Sequence, residues 1–103
     1  MIRVTNECEV KYGHFAEYLE ICEELDQAMI AKKFKPWSNL TPLTGKGNVI
    51  VQTCDYDSLQ EMTDEQNRFY ADADLMKTFR RGAELVVQGS ASGMIYEEAP
   101  HLA

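Results

Sequence analysis

Residues 2–19 read Ile2-Arg3-Val4-Thr5-Asn6-Glu7-Cys8-Glu9-Val10-Lys11-Tyr12-Gly13-His14-Phe15-Ala16-Glu17-Tyr18-Leu19, and the apolar period changes halfway through. From Ile2 to Lys11 the period is two. Ile2, Val4, Asn6, Cys8 and Val10 share one face, and Arg3, Thr5, Glu7, Glu9 and Lys11 share the other. Such alternation specifies a half-buried strand. Asn6 is the one strongly polar side chain on the apolar face. Tyr12-Gly13 makes a turn. From His14 to about Phe34 the period becomes 3.6, with Phe15, Tyr18, Leu19, Cys22, Leu25, Met29 and Ile30 on one stripe. This is an amphipathic helix. Its acids crowd the first half and Lys32 and Lys33 lie at its end, which complements the macrodipole. Pro36 bars its continuation.

The rest of the chain extends this strand–helix unit. Trp37 to Thr44 reads as a short strand disturbed by Pro42, as at a sheet edge or a bulge. Gly45-Lys46-Gly47-Asn48 is a hairpin turn leading to a β-branched strand, Val49 to Tyr56. It is not a phosphate loop, because no helix and no GK[ST] ending follow it. The pattern leaves open which face of this strand meets the helices, since one slip in register exchanges them. Asp57-Ser58 caps a helix from about Leu59 to Ala71, with Leu59, Met62, Gln66, Phe69 and Tyr70 on one stripe. Asp72-Ala73-Asp74 breaks it and starts another, whose inner face is Leu75, Met76, Phe79, Ala83 and Val86. Gln88 to Glu97 is the last strand. The order is therefore βαββαβ: an α+β, ferredoxin-like subunit with a four-stranded antiparallel sheet covered by helices on one face. The bare face calls for a second copy, and a homodimer is expected.

With 103 residues the chain makes a single domain, 1–103. A chain this short buries only ~60–65% of its unfolded surface, so a partner subunit would help it. An apolar fraction of 45% and a charged fraction of 26% argue against disorder. Seventeen acidic against ten basic residues argue against nucleic-acid binding, which needs a basic face. Neither a signal-peptide pattern nor an apolar run near the ~20 residues of a membrane span is visible, so a cytoplasmic protein without membrane contact is expected. Cys8, Cys22 and Cys54 form no CxxC pair and read as reduced, buried thiols. His14 and His101 are far apart, so neither a metal site nor any other cofactor is expected.

Candidate chemistry is sparse. Gly89-Ser90-Ala91-Ser92-Gly93 carries almost no side chain. It is either close packing or a strand hollowed out beside a pocket. Trp37, Tyr56, Phe69, Tyr70 and Phe79 are core aromatics or the lining for a flat, mainly apolar or aromatic ligand. Arg80 or Arg81 pairs with an acidic substrate group or with surface acids. The carboxylates, Glu65 among them, read as solvated faces and turn caps. His14 is a solvated first-turn residue or a general base, and His101 belongs to a tail.

The order of elements, with Glu9-Val10-Lys11-Tyr12-Gly13-His14-Phe15-Ala16-Glu17-Tyr18-Leu19 at the strand–Gly–helix entry and Tyr56-Asp57-Ser58-Leu59 at a strand exit, resembles the dimeric α/β-barrel superfamily. That superfamily includes the antibiotic biosynthesis monooxygenase and NIPSNAP families. The resemblance implies two sheets joined into a barrel and one pocket per subunit between sheet and helices. Haem-degrading members carry an Asn on the first strand, where Asn6 stands. The places of their Trp and haem-ligating His hold Phe69 and Phe79, which cannot ligate iron. Cofactor-free quinone-forming members use Asn, Trp, Tyr and Arg, for which Asn6, Trp37, Tyr70 and Arg80 are the right kinds of residue. Polyketide cyclases of this fold use a His base, for which His14 is the counterpart. The resemblance thus implies a tailoring enzyme without metal or nucleotide, acting on an aromatic or polyketide-like compound as monooxygenase, cyclase or isomerase. Asn6, Tyr70 and His14 would be its catalytic residues, and Trp37, Tyr56, Phe69, Phe79 and Arg80 its substrate-binding ones. The alternative is a non-catalytic NIPSNAP-like binding or interaction module.

Overall fold

The alternation in the first ten residues becomes β1, Ile2–Glu9, in the computed structural model, which describes residues 1–100. The expectation for His101 lies outside the described residues. The other elements are α1 (Phe15–Ala31), β2 (Ser38–Leu40), β3 (Val49–Tyr56), α2 (Leu59–Ala71), α3 (Ala73–Ala83) and β4 (Ser92–Glu97). The sheet order is β2-β3-β1-β4, with every neighbouring pair antiparallel. This is the ferredoxin-like arrangement expected from the sequence. Among the described residues no helix is long and apolar enough to cross a membrane.

The β1–β3 register settles the facing of β3. Cys8 pairs with Ile50, Asn6 with Gln52, Val4 with Cys54 and Ile2 with Tyr56. These residues look toward the helices, because Cys8, Ile50, Tyr18 and Cys22 form one buried cluster and Ile2, Cys54 and Tyr56 another. A third cluster, Met29, Phe34 and Leu75, lies at the far end of α1 against α3. Trp37 packs against the second and third clusters together and links them. Fully burying one such aliphatic or aromatic side chain contributes about 1.5–3 kcal/mol. All three cysteines are free and buried. Burial pushes the Cys22 thiol up to about 11.

The element ends depart from the sequence pattern for local reasons. α1 stops at Ala31 because Lys33 adopts φ +65°. The Lys33 N–H donates to the Ile30 carbonyl and the Phe34 N–H to that of Met29, while Phe34 and Met29 share the third cluster. These are the two bonds and the apolar contact of a Schellman ending. α3 stops at Ala83, and Val86, expected on its inner face, instead bridges to Val10. The last strand starts at Ser92 rather than Gln88. Gly89 turns with φ +81°, and Ser90 donates from both N and Oγ to the Val87 carbonyl. β2 is only three residues long and lies at a sheet edge, as the nearby Pro42 implies.

The expected stripe of α2 is displaced. Leu59 and Tyr70 are exposed, while Glu65 is buried. Its Oε1 accepts from the Tyr56 hydroxyl at 3.0 Å and from the Lys35 N–H at 3.2 Å. The expectation of a solvated carboxylate fails at Glu65, because the hydroxyl and amide waiting beneath α2 need an acceptor.

Candidate functional site

Asn6 stands in the middle of β1, on the helix-facing side, yet it is exposed. Among the described residues its carboxamide has no hydrogen-bond partner. The helices cover the sheet on the β3 side and leave β4 bare: all six residues of β4 are exposed. Asn6 faces Gly93 on β4, and Val4 faces Ile95, itself 55% exposed. The helix-facing side of β1 and β4 is therefore an open ledge in the single chain. Its polar groups in the strands are the Asn6 carboxamide at the centre and Glu97, opposite Ile2, at the end of β4. A Cβ added at Gly93 would come within 2.8 Å of Asn6 Oδ1, closer than such atoms approach. Glycine at this place is what lets the carboxamide lie flat across β4.

A row of carboxamides runs from Asn6 in the other direction. Asn6, Gln52 and Asn39 occupy directly opposed positions on β1, β3 and β2. Asn39 Nδ2 donates to Asp26 Oδ2 of α1 at 2.6 Å. Gln52 Nε2 donates to Asn39 Oδ1 at 3.0 Å and to Cys22 Sγ at 3.6 Å. Burial raises the Asp26 carboxyl above its ordinary value, opposed by the hydrogen bond from Asn39. The sequence reading missed Asp26, Asn39 and Gln52. The available signal was Gln52, a polar residue in phase with Ile50 and Cys54.

The remaining sequence candidates fall into three places. Phe69, Tyr70 and Phe79 come together: the Phe69 ring meets Tyr70 edge-on at 5.5 Å and Phe79 at 5.7 Å. Tyr70 is 57% and Phe79 42% exposed, so this cluster offers aromatic surface. Trp37 and Tyr56 are built into the core. Burial holds the Tyr56 phenol well above its usual range, so it serves as a donor to Glu65. His14 is exposed at the start of α1, with Nδ1 3.1 Å from the Glu17 carboxylate and no bond to another candidate. Arg80 is exposed without an ion pair among the described residues, whereas its neighbour Arg81 pairs with Glu24 at 3.0 Å.

Among the described residues no helix covers the opposite face of the sheet. Leu40, Met94 and Tyr96 lie there, each at least half exposed, with Val51 between strands β2 and β1. Arg3 grips Asp55 through Nε and Nη2 at 2.7 and 2.9 Å. Thr53 Oγ1 is buried on this face with no hydrogen-bond partner among the described residues. A hollow of about 360 Å3 is lined by Glu7, Glu9, Pro42, Lys46, Val49 and Ser90. Another, of about 290 Å3, is lined by Met1, Arg3, Tyr96, Glu97 and Glu98.

No protein-family model matches the chain, and no curated protein resembles it in sequence. Solved structures resemble it in fold. A NIPSNAP domain protein from Burkholderia xenovorans superposes with a TM-score of 0.82 at 16% identity, covering 100% of this chain and 99% of that one. A NIPSNAP family protein from Agrobacterium tumefaciens strain C58 gives 0.81 at 17% identity, covering 95% and 85%. An antibiotic biosynthesis monooxygenase gives 0.75 at 9% identity, covering 97% and 100%. The fold is the one these proteins share, as the order of elements led us to expect.

Proposed function

We propose that the chain works as a homodimer that holds a small aromatic or polyketide-like molecule on the ledge of β1 and β4 and carries out a tailoring reaction on it. The observation behind this reading is Asn6, an unpartnered carboxamide on an otherwise apolar strand face, with Gly93 keeping the space beside it clear. A monooxygenase, a cyclase and an isomerase of such compounds share one early step. A phenol or enol loses its proton, and negative charge grows on its oxygen. Asn6 Nδ2 is a donor for that oxygen. For this reading the Phe69–Tyr70–Phe79 cluster has to reach the ligand on the ledge, Tyr70 moving the proton and the two phenylalanines holding the ring. Arg80 is available for an acidic substituent. His14, tied to Glu17, takes no part in this version.

The second copy covers the helix-free face. Leu40, Val51, Met94 and Tyr96 form its apolar part. The similarity in fold to an antibiotic biosynthesis monooxygenase supports the enzyme reading. A second reading, a non-catalytic binding module, draws support from the NIPSNAP proteins of the same fold and from the lack, among the described residues, of any charged side chain bonded to Asn6.

Native mass spectrometry of freshly purified protein tests the dimer and any retained ligand together. Two subunits at micromolar concentration are expected, and a monomer alone overturns the dimer. Asn6→Ala is expected to lower turnover by about 10²-fold or more, the effect of removing one oxyanion donor. Turnover unchanged in that variant removes Asn6 from the chemistry. Binding weakened in a protein with no turnover supports the module.

A further inference from the structure

We propose that Gln52, beside Asn6 at the helix-covered margin of the ledge, is a second ligand-contacting residue, and that Asp26 is the positioning residue that turns the Gln52 carbonyl oxygen free to accept a hydrogen bond from a ligand hydroxyl. This inference rests on reading the ledge as a ligand site and adds a specificity to it.

The argument is one of direction. An ionised carboxylate can only accept hydrogen bonds. Asn39 must therefore turn its NH2 toward Asp26, and it does so at 2.6 Å. The other end of Asn39 is then a carbonyl, which also only accepts, so Gln52 must turn its NH2 toward Asn39. The second N–H of that group goes to Cys22 Sγ. Both Gln52 donors are spent, and Oε1 is left with no partner among the described residues. Nothing in Gln52 itself dictates this orientation, because an amide can be turned either way. The order originates at Asp26 of α1, which holds Asn39, two strands away from Asn6.

The register places this oriented amide directly opposite Asn6. The two side chains offer an acceptor fixed by the relay beside an untethered donor and acceptor. Their complement is a phenolic or enolic hydroxyl, whose proton goes to Gln52 Oε1 while a ligand oxygen receives Asn6 Nδ2. A ligand without the hydroxyl leaves the Gln52 oxygen desolvated and unpaired, and such a loss is discriminated more strongly than a missing methylene.

Two probes and one variant test it: β-naphthol, its methyl ether, and Asp26→Asn, which can both donate and accept and so releases the direction of the relay. Dissociation constants are measured by NMR titration, and side-chain amide exchange of Asn39 and Gln52 is followed in the free protein. The wild type is expected to bind the naphthol about tenfold more tightly than the ether. In Asp26→Asn that ratio is expected to fall to about twofold, with affinity for the ether unchanged, a pattern that general loosening would not produce. Exchange at the Asn39 and Gln52 amides is expected to be slower than at Asn6, and to quicken in the variant. Equal affinity for the two probes in the wild type overturns the role of Gln52, and a ratio preserved in Asp26→Asn overturns the role of Asp26. Slow amide exchange with neither probe bound overturns the ledge as a ligand site, and this inference with it. Fast exchange with both probes bound overturns the relay alone.

Discussion

Removing the Glu65 carboxylate is expected to destabilise the fold more than any surface substitution on α2. Glu65 is 9% exposed and Tyr56 4%. One oxygen, Glu65 Oε1, accepts from both the Tyr56 hydroxyl and the Lys35 N–H. Glu65→Ala leaves two donors facing an apolar cavity. A buried unsatisfied group costs about 1–3 kcal/mol, and the Lys35 amide, only partly buried, lies at the low end. The sum is about 2–4 kcal/mol. Glu65→Gln keeps the acceptor and is expected to cost under about 1 kcal/mol. Tyr56→Phe removes a hydrogen bond to a carboxyl group and is expected to cost about 1.5–3 kcal/mol. Because the two residues share that bond, the double variant should fall short of the sum by about 1–2 kcal/mol. Urea unfolding followed by fluorescence measures all four, since Trp37 is the single tryptophan and packs on the Tyr56 cluster. Protein concentration must be held constant, because the proposed dimer would couple stability to it. A Glu65→Ala cost below about 0.5 kcal/mol, or additive single costs, refutes the reasoning.

Further outcomes follow from single residues. Lys33→Gly is expected to stabilise by about 0.5–1 kcal/mol in the same urea assay, because φ +65° suits glycine better than lysine at a helix end. Gly93→Ala is expected to change stability by less than about 1 kcal/mol, since only the mobile end of Asn6 must move, yet to shift the Asn6 side-chain amide resonances and lose Asn6-dependent binding. Asn6→Val, adding a β-branched residue to an apolar face, is expected to raise the urea midpoint. Acid titration reads the carboxylates. Asp72 is lowered by Lys32, Asp55 by Arg3, and Glu61 by the Asp57 N–H and Lys35. Their folded values lie below the ordinary 3.8 and 4.5, so their contribution is complete above those values and is lost as pH falls through the lowered ones. Asp26, raised by burial, works in the opposite sense, so Asp26→Asn should unfold at the same urea concentration as the wild type or a higher one.

The elements that carry a long uninterrupted period were legible in the sequence. β1 and α1 each repeat their pattern four times or more, and that fixed the fold order and the helix-facing side of β1. β3 is also regular, but its two faces are nearly equal: Val49, Val51 and Thr53 are as apolar as Ile50, Gln52 and Cys54. Only pairing with β1 separates them. Glu65 was not legible, because its reason for burial is the Tyr56 hydroxyl, nine positions earlier and on another element. The sequence pattern makes β4 too long because small residues leave no period to read, and the left-handed Gly89 turns the chain ahead of the strand, which starts at Ser92. Asn6 stood out as a polar break in an apolar alternation. Its partners in the row did not, since Asn39 sits in a strand of only three residues and Asp26 among the acids of α1.

The position of that row within the core gives it meaning. On the helix-facing side, the Cys8–Ile50 pair belongs to one buried cluster, and the Ile2–Tyr56 pair belongs to another. The Asn6–Gln52 pair lies between them. Two β-branched residues there would join the clusters into one continuous core, with no carboxamide to satisfy. For a 103-residue chain, short of buried surface, that would be the more stable choice. The relay through Asn39 and Asp26 recovers hydrogen bonds for Gln52, but it leaves the Gln52 carbonyl and the whole Asn6 amide unmatched. Water can meet the exposed Asn6 amide, but folding alone gives no reason to orient its neighbour Gln52 from a carboxylate on α1. A ligand that arrives with a hydroxyl and a second oxygen gives such a reason. On this view a gain in stability for Asn6→Val and a loss of binding in the same variant are two measurements of one trade.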